Sequence, residues 1–143
     1  MRMPGLREQL RDNTVALVSL AVALTALGYT TWRNQRTEQN RNVREAGFHL
    51  LSEVGSLQQL VLYAHFNQGD MRGDLRMGWA DTLNIQDLAA LMPPEVGRDA
   101  EALRATWEAR AEGLSSRDED FREIDAAIDT LRQTTLSALR ELD

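Results

Sequence analysis

Cysteine is absent from the chain, and histidine occurs only twice. The first absence excludes a disulfide framework, a thiolate metal site and a cysteine nucleophile, and it leaves the redox compartment undetermined. Lysine is missing as well. All sixteen basic residues are arginine, a bias we assign mainly to codon usage. Three prolines and 6% aromatic residues leave little to interrupt a helix and little to favour a sheet. No stretch alternates apolar and polar residues as a half-buried strand does. No Gly-rich phosphate loop, nucleophile elbow, paired metal motif, internal repeat or low-complexity segment occurs. These absences predict an all-α protein that is not an enzyme and needs no cofactor.

What is present begins with residues 14–31, TVALVSLAVALTALGYTT, a run without a single charge. At about 1.5 Å per residue it extends roughly 27 Å as a helix, close to the hydrocarbon thickness of a bilayer. Tyr29 and Trp32 stand where an interfacial aromatic belt belongs. The competing reading is a cleaved signal peptide with Ala26-Leu27-Gly28 as its processing site. Against it, the apolar run is longer than a usual signal core, and Arg33, Arg36, Arg41 and Arg44 follow closely. The expectation is a retained transmembrane helix over 14–32. One face carries Ala16, Ser19, Ala23, Ala26 and Thr30, small enough for close helix pairing in lipid. A neighbouring stripe carries Leu17, Leu20, Leu24 and Leu27.

Charge is divided unevenly. Residues 1–44 carry seven Arg against Glu8, Asp12 and Glu38, a net of +4; residues 45–143 carry −10. A basic segment around an apolar span suits anionic headgroups. An acidic remainder argues against nucleic-acid binding, which needs a basic footprint.

The predicted organisation is a short basic arm at 1–13, the span at 14–32, a polar helical stalk at 33–42 and a bundle domain at 43–143. Within the bundle, Val43, Gly47, Leu50, Val54, Leu57, Val61 and Ala64 repeat at helical spacing over residues 43–66. Residues 67–73 read as a turn rich in helix breakers. A second start is expected at Asn84, capped by its side chain with Asp87 three residues on. Pro93-Pro94 ends that segment. The next helix carries Val96, Ala100, Leu103, Trp107 and Ala111, with Gly113 as its C-terminal cap. Ser116-Arg117-Asp118-Glu119 matches a capping box. The last helix carries Phe121, Ile124, Ile128, Leu131, Thr135, Ala138 and Leu142. About four helices with short connections predict an antiparallel bundle. The core is expected to include Leu50, Val54, Leu57, Val61, Leu103, Trp107, Ile124, Ile128 and Leu131. A long helical hairpin that dimerises is the alternative.

Few residues suggest chemistry. Glu45, His49 and Glu53 align at i, i+4 and i+8, but no second histidine motif accompanies them, so a solvated face is expected. Asp70 and Asp74 flank GDMRGD without the regular oxygen ligands of a calcium loop, and Arg72-Gly73-Asp74 is a three-residue match inside a turn. Trp79 and Trp107 read as core anchors, and the acids of 118–129 as helix capping and a solvated face. No catalytic, cofactor or metal residues are assigned. The layout resembles the sensory and signalling proteins in which a transmembrane helix runs into a helical bundle, a likeness of architecture without a residue-level motif. The functional expectation is a single-pass protein of a bacterial inner membrane with its bundle on the non-cytoplasmic side. It would touch lipid through residues 14–32 and engage a protein partner or a second copy. The alternative is a sensor holding a small ligand inside the bundle.

Overall fold

The structure, a computed structural model, describes residues 13–67 and 71–142; at positions 36 and 71–74 it describes the backbone alone. The expected basic arm lies outside these residues, apart from Asn13. Among them there are four α-helices and no strand. They are α1 (Thr14–Asn67), α2 (Met71–Ala89), α3 (Pro94–Arg110) and α4 (Asp118–Arg140), with a 3-10 turn at Ala111–Gly113. The contacts divide the chain into two units, Met1–Gln39 and Asn40–Asp143.

The helix α1 continues through the polar stretch after Trp32, as a sequence without Gly or Pro from 29 to 46 allows. Within the first unit, every side chain described is exposed. The helix is long and apolar enough to cross a membrane, and none of its apolar window is buried. Three threonine hydroxyls of the apolar run are satisfied from within the helix. Thr25 donates to the Ala21 carbonyl at 2.8 Å, Thr30 to Ala26 at 2.8 Å and Thr31 to Leu27 at 2.9 Å. That pairing removes the main cost of placing threonine in an apolar medium.

The second unit is a helical bundle, and its contacts fix an antiparallel order. His65, near the end of α1, meets Leu114 and Asp118, just before and at the start of α4. Asn40 meets Leu142 beyond its end. Arg110 at the end of α3 pairs with Asp120 and Glu123 at the start of α4, and Asp99 accepts from Thr134 at 2.5 Å. The helix α2 runs against both α1 and α3. All nine predicted core residues have no exposed surface, and Ile85 and Val96 join them. Each such side chain contributes on the order of 1.5–3 kcal/mol through burial. The 3-4 spacing of the stripes produces this result, since it keeps one face of each helix apolar.

Glycine admits close approaches here. A Cβ at Gly78 would collide with the indole ring of Trp107, so Gly78 opens the slot that Trp107 fills. A Cβ at Gly47 would come within 2.6 Å of Leu139 Cδ2. Gly55 differs, with nothing within 4 Å of a built Cβ.

Several local expectations are corrected. Met71–Gly73 already belong to α2, and α2 runs through Asn84 without a second start. Gly78, Thr82, Ile85 and Ala89 form one buried stripe across that position. Its burial outweighs the small helix penalty of Asn. The capping box does not form. Ser116 Oγ turns back to the Gly113 carbonyl at 3.4 Å, Arg117 occupies the N-cap without a side-chain bond, and α4 starts at Asp118. Three acids in its first turn complement the helix dipole instead. Gly113 is not the cap of α3, which ends at Arg110 with Ala111 as its C-cap. It is buried, and a Cβ there would run into Asp120 and Arg117.

Candidate functional site

The sides of the bundle differ in how their polar groups are satisfied. Where α4 meets α1 and α3, the carboxylates have partners. Asp120 is buried between Arg110, with Nη1 at 3.3 Å from Oδ1, and Arg117, with Nε at 2.6 Å from Oδ2. The second contact is an ion pair without hydrogen-bond alignment. Arg110 also holds Glu123 at 2.8 Å. Gln58 donates to Asp125 at 3.2 Å and accepts from Arg132. The His65 Nδ1–H donates to the Leu114 carbonyl at 2.7 Å, and Nε2 lies 3.4 Å from Asp118. Its ring stacks on Phe121 at 4.3 Å. This cluster ties α1 to the start of α4.

The α1–α2 side is different. Glu53 and Asp81 face each other across the cleft, and among the described residues neither has a hydrogen bond or ion pair. Burial, and then the Glu53 charge, push the Asp81 carboxyl above the usual carboxylate range. Around them, Leu60, Tyr63 and Met77 line an open groove of about 550 Å³. Glu53 also lines a second groove with His49, Asp87 and Leu88. His49 in turn borders a third with Arg41, Arg44, Glu45 and Phe48. Shared residues join the three into one trough.

The exposed large apolar side chains of the bundle lie on the same side of the sequence. Phe48, Leu62, Tyr63 and Phe66 belong to α1. Met77, Trp79 and Leu83 belong to α2, and Leu91 follows it. Among the described residues, α3 and α4 contribute none. The outward face of α1 is also almost free of charge. Between Ala46 and Asn67 the only acidic or basic residues are Glu53 and the two histidines.

The residues singled out in the sequence fall as follows. Glu45 and His49 are exposed and Glu53 is half-buried, so the first two keep the solvated character of that face. Glu53 turns to the trough. Asp70 lies outside the described residues, and Asp74 sits in α2, not in a turn. Among the described residues, no three His, Asp or Glu side chains converge as metal ligands. Trp107 anchors the core with no exposed surface, whereas Trp79 is 36% exposed and does not. Among the described residues the Trp107 indole N–H has no acceptor, a cost accepted for packing the ring. Asp81, Tyr63 and Met77 escaped sequence reasoning. The available signal was the scarcity of charge on the outward face of α1.

The chain matches no protein-family model, no curated protein and no solved structure.

Proposed function

We propose that this is a membrane-tethered interaction or accessory protein without catalytic activity, held in the bilayer by residues 14–32 and presenting its bundle to a protein partner. One observation carries the reading. A charge-free run of bilayer length has none of its side chains buried, and three of its threonine hydroxyls are bonded to their own helix. In water such a surface would be a large exposed apolar patch, and in lipid it is matched to its solvent. The apolar α1–α2 side supports the partner. Trp107, Leu103, Ile85 and Ile128 fill the bundle centre, which favours this reading over a sensor with a ligand inside. The chain is expected to stay with membranes washed at alkaline pH. Recovery in the supernatant, or a mature N-terminus at Tyr29, would overturn the tether. The basic arm favours the bundle on the non-cytoplasmic side. A reporter fused after Asp143 that works only in the cytoplasm would reverse that orientation.

A further inference from the structure

We infer that the α1–α2 trough is a docking groove for a cationic amphipathic helix of a partner protein. This rests on the reading of the chain as a partner-presenting protein and names the surface and the chemistry it recognises. The trough runs alongside α1 from Arg41 to Tyr63. At about 1.5 Å per residue that is roughly 33 Å, room for a helix of five to six turns. Its apolar contacts, Phe48, Leu60, Tyr63, Met77 and Leu88, are spread along its length, as a helix laid in a groove requires.

Charge selects the occupant. Glu53, Asp81 and Asp87 line the trough beside His49, and among the described residues none of the three forms an ion pair. The interhelical carboxylates Asp99, Asp120, Glu123 and Asp125 all have partners. A lysine or arginine laid between Glu53 and Asp81 would relieve their repulsion and gain two ion pairs. Arg41, Arg44 and Glu45 border the other end, which is net positive, so the trough has a direction: basic residues of the partner sit over Glu53 and Asp81. A second copy of the bundle is a poor occupant, because residues 45–143 carry a net charge of −10. Bringing two such surfaces together adds repulsion where attraction is needed.

The test uses the full chain in nanodiscs of zwitterionic lipid, with empty nanodiscs as the blank. The probe is an 18-residue peptide of leucine and lysine, with leucine at i, i+3 and i+4 spacing. Its counterpart replaces every lysine by glutamate. The lysine peptide is expected to bind and to cross-link to a photoreactive benzophenone side chain introduced at position 63. The double variant Glu53→Gln/Asp81→Asn should bind it about tenfold more weakly, the sum of two exposed ion pairs. Glu101→Gln, on the exposed face of α3, should bind it unchanged. Three results each overturn the inference: unchanged affinity in the double variant, equal binding of the glutamate peptide, or a cross-linked homodimer as the main product from position 63. A chain that resists alkaline extraction yet ignores the lysine peptide would sink the groove and leave the tether standing.

Discussion

Two parts of α1 use the same backbone against different surroundings. From Val15 to Leu27, the large apolar side chains are 46–80% exposed and distributed all round the helix. From Leu50 to Val61, the apolar side chains that point inward have no exposure at all. The difference is one of arrangement more than of amount. An apolar helix surface needs an apolar medium on every side, whereas a stripe needs only neighbouring helices. The polar residues that follow Trp32 lie where one regime gives way to the other.

The largest test of this contrast places the same charge in each part. Ile128→Asp would bury a carboxylate without a partner in the bundle core, at a cost of about 4 kcal/mol or more. The bundle should lose its cooperative thermal transition in the full chain held in mild detergent. Leu24→Asp should leave that transition in place, because Leu24 has no core neighbours. It should weaken membrane insertion by about 2.5–3.5 kcal/mol and release part of the chain on alkaline washing. If Leu24→Asp lowered the bundle transition, or Ile128→Asp did not, the two-regime description would fail.

How much of this was legible in the sequence depends on the range of the signal. The nine core residues were readable because helical spacing alone decides which face is apolar, and Leu50, Val54, Leu57 and Val61 leave no ambiguity. The local punctuation was misread. Asn84 with Asp87, and Ser116 with Glu119, are genuine cap-like pairs, yet the stripe from Gly78 to Ala89 and the tight turn at Gly113 overrode them. The trough was not legible. Asp81 meets Glu53 only after α2 folds back along α1, and no sequence pattern states that the cleft between them stays open.

Glycine sharpens the comparison at intermediate energy. Gly78→Ala forces a methyl group into the Trp107 ring and should cost about 1–3 kcal/mol, since α2 must move away from α3. Gly55→Ala meets open space and should stabilise the bundle by up to about 1 kcal/mol through helix propensity. Thermal unfolding of the two variants should therefore move in opposite directions. A loss at Gly55→Ala would mean that something rests on that face in the intact protein.

The smallest expected effect concerns Asp81, and its sign follows from the cleft. The folded chain holds this carboxyl above its ordinary value of 3.8, because burial and then Glu53 disfavour the charge. Below pH 3.8 the group is protonated in both the folded and unfolded chain, so it costs nothing. As pH rises past that point the unfolded chain ionises first, and stability falls until the folded carboxyl has also lost its proton. Above that window the deficit is constant. Asp81→Asn lacks it, so this variant should unfold at a higher temperature than the parent at pH 7 and at the same temperature near pH 3. The cleft is open to solvent, which keeps the gain below about 1 kcal/mol. Glu53→Gln should give a smaller gain, because the Glu53 charge is the lesser of the two causes. Equal gains would put repulsion first. That result would also strengthen the case that the missing element in the cleft is a cation supplied from outside.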